Sequence, residues 1–119
     1  GSSKIDFLLK RNGDLCYMEV KGCTHRKNGR IGSFPDAPTA RGRRHVEDLL
    51  KVLREGFNAA ILFLVFREEA RMFSLNWDVD IKFSLALKNA HENGVLVTAC
   101  KILFDGRRIT FGGMLPVHI

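Results

Sequence analysis

The sequence is poor in residues that interrupt or cross-link a chain. Three prolines in 119 residues, with no low-complexity tract and no internal repeat, argue against a disordered or repeat architecture. Three cysteines, Cys16, Cys23 and Cys100, are odd in number and lack any CxxC spacing. They read as buried thiols in a reducing compartment rather than a disulfide framework. One Trp and one Tyr leave no set of aromatic residues with which to stack nucleic-acid bases. The longest apolar run, Ala59 to Phe66, is far too short to cross a membrane as a helix. No charged, apolar, small-residue leader is evident. The expectation is a soluble, cytoplasmic protein without membrane association.

Acidic residues are also in short supply. Thirteen Asp and Glu face 19 Lys and Arg, for a formal charge of +6, which favours a polyanionic partner such as nucleic acid. The basic residues cluster: Lys10 and Arg11, then His25, Arg26, Lys27 and Arg30, then Arg41, Arg43, Arg44 and His45. All fall in expected loops or at one helix start. The length suits one domain with a single layered core.

Lys4 to Leu9 and Leu15 to Lys21 read as strands joined at Asn12-Gly13, a strong hairpin signal. Gly22 to Pro38 reads as a loop with a short strand at Ile31 to Phe34. Thr39 caps an expected helix to about Glu55, with Val46, Leu49, Leu50 and Leu53 on its inward face and Gly56 as its stop. Ala59 to Phe66 has the pattern of a central strand buried on both faces. Asp80 caps a second helix to about Asn93, followed by a strand from Val95 to Phe104 and a last partner at Arg108 to Phe111. This order describes a mixed α/β sheet with helices packed against it.

A two-residue turn at Asn12-Gly13 sets Asp6 opposite Glu19. Alternation places both with Lys21 on one face, expected to be the solvent side, and Ile5, Phe7, Leu9, Cys16, Met18 and Val20 on the other. Opposed carboxylates repel unless a cation lies between them, and their hard oxygens suit Mg²⁺ or Mn²⁺. Lys21 stands two residues from Glu19, within reach of the same spot, where an ammonium can stabilise charge on a phosphate or orient a water. The competing reading is a surface hairpin with ordinary polar residues.

Three ordered motifs carry a resemblance. They are Ser3-Lys4-Ile5-Asp6-Phe7-Leu8-Leu9, then Tyr17-Met18-Glu19-Val20-Lys21-Gly22-Cys23-Thr24, then Phe34-Pro35-Asp36-Ala37-Pro38-Thr39 with Arg41-Gly42 and His45. Together they resemble the sugar fermentation stimulation protein A family, and the similarity continues to Leu115-Pro116-Val117. The resemblance implies a restriction-endonuclease-like α/β domain of the PD-(D/E)xK type that binds DNA. It corresponds to the second domain of that family, whose N-terminal OB-like domain is expected as a partner and is not in this sequence. By position, Asp6 is the isolated acid, Glu19 the acid of the (D/E)xK element and Lys21 its lysine. Arg41 and His45 match residues at the start of the first helix, placed to face the site and hold phosphate. Ala40 stands where a glutamate is more often expected, so no catalytic acid is assigned to that helix.

Asp36 follows Glu-x-Lys in sequence, so it reads as a turn or helix-entry residue before a metal contact. His25, Arg26, Lys27 and Arg30 read either as contacts to the nucleic-acid backbone or as solvated loop charge. Asp78 and Asp80 read as helix-entry residues, Phe73 and Trp77 as packing residues, and His91 and His118 as incidental. The expected activity is Mg²⁺- or Mn²⁺-dependent hydrolysis of DNA by Asp6, Glu19 and Lys21, with Asp6 and Glu19 as ligands. The alternative is a non-catalytic DNA-binding regulatory module linked to sugar-gene expression.

Overall fold

A computed structural model describes residues 7–11, 13–24 and 29–119. Strand β1 (Phe7–Arg11) turns into β2 (Asp14–Cys23) through Gly13, whose φ of +85° is a conformation that costs a glycine little. Their antiparallel register runs from Phe7↔Met18 to Arg11↔Asp14, the alignment expected of the Asn12-Gly13 turn. Strand β3 (Ile31–Phe34) precedes helix α1 (Ala40–Arg54), and β4 (Asn58–Val65) follows it. Strand β5 (Met72–Leu75) precedes helix α2 (Ile81–Glu92). Strands β6 (Leu96–Phe104), β7 (Ile109–Leu115) and β8 (Val117–His118) close the chain.

The strands form two sheets. Five of them run in the order β1-β2-β4-β6-β7, and β3-β5-β8 form a smaller one. β2, β4 and β6 are parallel neighbours, so α1 and α2 are the crossovers between them. Successive right-handed crossovers along one direction lay both helices on the same side of the sheet. Buried residues of both helices, β4, β6 and the small sheet accordingly join one core. Phe63 at its centre stacks on Phe73 with ring centroids 4.3 Å apart and meets Phe34 at 5.3 Å, while Phe34 packs edge-on against Phe83. Phe73 and Trp77 are thus core-packing residues.

Two differences from the sequence reading have structural causes. β4 is the central strand, yet its two faces are not equally buried: Ile61, Phe63 and Val65 are fully buried on one, while on the other Ala60 is buried and Leu62 and Leu64 are half-buried. Both helices lie on one side, so the outer side lacks a covering layer among the described residues. The small sheet was mostly illegible because its strands are two to four residues long. Such segments are too short to show a period.

The helix starts are tied together. Thr39 caps α1 by accepting from Gly42 N at 2.9 Å. Asp80 caps α2 by accepting from Phe83 N at 3.0 Å and also accepts from Thr39 N at 2.7 Å. These backbone donors, Phe83 first and Thr39 second, hold the Asp80 carboxyl below its ordinary pKa. A side chain at Gly42 would meet Thr39 at 2.8 Å and the Phe83 ring at 3.3 Å. The lack of a Cβ there lets the start of α1 pack closely on α2.

Candidate functional site

Glu19 and Lys21 pair in register with Ile61 and Phe63 of β4. Registered residues of parallel strands share a face, so both project towards the helices with two fully buried neighbours. The expected solvent side of the hairpin is therefore the covered side: Glu19 is 2% exposed. The cause lies in the crossover from β2 to β4, which lays α1 over that face. No property of the hairpin alone indicates which side the helix takes.

The helix contributes the third member. The inward stripe of α1 is Gly42, His45, Val46, Leu49 and Leu50, spaced as one face of a helix requires. His45 is the polar side chain in that stripe and is 6% exposed. Its Nδ1 lies 2.9 Å from Glu19 Oε1 and 2.5 Å from Lys21 Nζ, and Lys21 Nζ lies 3.2 Å from the same carboxylate oxygen. Glu19 Oε1, Lys21 Nζ and His45 Nδ1 form a closed triangle of polar atoms under the helix. An ammonium is a donor only, so Lys21 donates to the carboxylate and to an accepting Nδ1. Burying Glu19 would be costly without the Lys21 ammonium.

The resemblance implied that His45 faces the site and holds phosphate; the structure places it beneath the helix, against Glu19 and Lys21. The signal was available in sequence, because a histidine one residue before Val46 and four before Leu49 falls within the apolar stripe. Arg41 is exposed on the first turn of α1 and Arg44 on the second, and Arg30 is exposed at the entry to β3. Asp36 is exposed in a bend before α1, consistent with a helix-entry residue. Asp6, His25, Arg26 and Lys27 lie outside the described residues. Among the described residues no three His, Cys, Asp or Glu side chains converge as a metal site; Glu19 and His45 approach each other as a pair, 2.9 Å apart. Cys23 Sγ donates to the Ser33 carbonyl at 2.7 Å, and none of the three cysteines forms a disulfide. A cleft of about 790 Å³ lined by Phe66, Leu103, Phe104 and Ile109 contains none of the triangle's residues.

Fold and cluster together define a mixed α/β domain in which a carboxylate and a lysine on one strand meet a histidine from the crossover helix. The family model described as "Sugar fermentation stimulation protein RE domain" matches residues 1–108, and the chain belongs to that family. The sugar fermentation stimulation protein homolog of Methanothermobacter thermautotrophicus is 53% identical over 105 residues, covering 88% of this chain and 43% of the relative. That of Pyrobaculum islandicum is 48% identical across all of this chain and 52% of its own length. The chain thus spans about half the length of the relatives it matches. The solved structure of Pyrococcus furiosus SfsA in complex with Ca²⁺ superposes with a TM-score of 0.94 at 31% identity, over the whole of this chain and 52% of that one.

Proposed function

We propose that this chain is a nuclease domain that binds DNA and hydrolyses its phosphodiester bonds with the help of Mg²⁺ or Mn²⁺. The observation that carries the reading is the Glu19, Lys21 and His45 triangle, a carboxylate held between a cation and an imidazole in a buried position. A solvated hairpin would have no need of such an arrangement. The donor chemistry fits a divalent ion, since a carboxylate oxygen and an imidazole nitrogen converge on one point. The Ca²⁺ bound by the Pyrococcus furiosus relative supports the same reading. Glu19 is proposed as one ligand, and Asp6 as its partner from the motif.

When bound, the ion would polarise the scissile phosphate and acidify a water. The chain's own groups do the rest. Lys21 offers ammonium protons to a phosphate oxygen or holds the attacking water. Arg41 and Arg44, exposed on the first turns of α1, meet the DNA backbone near a helix N-terminus. Arg30 extends that surface, and His25, Arg26 and Lys27 are proposed to do so as well. Such contacts bind backbone without reading bases, so affinity is expected to be weak, insensitive to sequence and steeply dependent on salt.

A plasmid nicking assay with Mg²⁺ or Mn²⁺ tests the activity. The expected result is metal-dependent cleavage that Lys21→Ala abolishes while metal binding persists. Clean protein that binds DNA yet cuts neither single nor double strands with either ion would favour the regulatory module instead.

A further inference from the structure

We infer that His45 is itself a metal ligand beside Glu19, and that its imidazole biases the site towards borderline transition ions such as Mn²⁺ and Co²⁺ over Mg²⁺ and Ca²⁺. The inference rests on the metal-dependent reading of this site and adds a residue and an ion preference to it. Three observations carry it. His45 Nδ1 and Glu19 Oε1 lie 2.9 Å apart, close to the spacing of adjacent donors at right angles around an ion with bonds of about 2.1 Å. Both side chains are nearly sealed from solvent, at 7% and 3% exposure, so few waters compete for their lone pairs. Lys21 Nζ touches both atoms. One positive group is thus already held in contact with both acceptors.

A histidine that served only to pack the helix would direct a carbon or a donor at the sheet. Here an acceptor nitrogen faces a carboxylate across a cation. Neutral imidazole is a good ligand for Mn²⁺, Co²⁺ and Zn²⁺ and a poor one for Mg²⁺ and Ca²⁺, which select oxygen. A purely carboxylate site would show much less of that preference. The helix placement makes the nitrogen a fixed donor: Thr39 sets the start of α1, Gly42 lets it pack on α2, and Val46 and Leu49 anchor the same face.

The test uses the chain as it stands, with MgCl₂, CaCl₂, MnCl₂ and CoCl₂ as probes. Binding is followed by calorimetry and by the ¹⁴N modulation that a coordinated imidazole imposes on the Mn²⁺ electron spin echo. The parent is expected to bind Mn²⁺ about tenfold or more tightly than Mg²⁺ and to show the nitrogen signal. His45→Gln, which fills similar space, is expected to lose the signal and most of the preference while melting cooperatively in chelator. Lys21→Met is expected to strengthen Mn²⁺ binding several-fold, because the ammonium no longer competes for the two acceptors. Retention of the nitrogen signal and the preference in His45→Gln overturns the inference and leaves the metal reading standing. Failure of the folded parent to bind any of the four ions, with Glu19→Gln indistinguishable from it, overturns both.

Discussion

On the inner face of the five-stranded sheet, Ile61, Phe63 and Val65 are fully buried, while on the outer face Leu62 and Leu64 are half-buried and Leu96 keeps 58% of its surface exposed. The same strands supply both faces. The inner one carries the core and the only buried carboxylate among the described residues, Glu19; the outer one carries no comparable polar cluster among them. A charge is tolerated at the inner face because the Lys21 ammonium meets it at 3.2 Å and bridges it to His45 Nδ1. A low-dielectric surround strengthens those contacts and makes their loss costly. The proposed function and the stability of the fold therefore draw on one side of the sheet, and substitutions should report that asymmetry.

The largest effect is expected at the centre of the inner face. Phe63→Ala removes a ring that stacks on Phe73 and packs against Phe34 and should cost about 3–5 kcal/mol in chemical denaturation. A loss below about 1 kcal/mol would mean that this face is not sealed in solution. Next comes the polar triangle. Glu19→Ala leaves the buried Lys21 ammonium without its carboxylate acceptor and should cost about 1–3 kcal/mol in chelator. Its melting temperature should not respond to Mn²⁺, whereas the parent gains about 2.7 kcal/mol when the ion is at about 100 times its dissociation constant.

A smaller effect belongs to the edge of the inner layer, where Asp80 joins the two helix starts. Asp80→Ala should cost about 1–2 kcal/mol, measured near neutral pH. Because hydrogen bonds from Phe83 and Thr39 lower the Asp80 pKa in the folded state, its contribution is present above the ordinary value of 3.8 and is lost as pH falls through the folded-state value. Asp80→Asn should flatten the acid limb of a stability profile, and an unchanged limb would remove Asp80 from that role. The smallest effect is expected on the outer face, where Leu96→Ala should cost about 0.5–1 kcal/mol. Equal losses for Leu96→Ala and Phe63→Ala would abolish the contrast between the faces.

Much of this arrangement was legible in the chain itself. Asn12-Gly13 dictated the hairpin and its register, because a two-residue turn leaves the flanking strands a single alignment. The stripe through Val46, Leu49 and Leu50 and the capping residues Thr39 and Asp80 determined both helices, since period and capping are local properties. Alternation put Glu19 and Lys21 together. Local signals end there. Which side of the hairpin would be covered followed from the handedness of the β2 to β4 crossover, a property of three elements at once. His45 met Glu19 only because that crossover laid α1 over β2, bringing together residues separated by 24 and 26 positions from Lys21 and Glu19 respectively. The sequence determined the strand, the helix and the chemical groups they carry, while tertiary packing decided that a carboxylate, an ammonium and an imidazole would share one buried point.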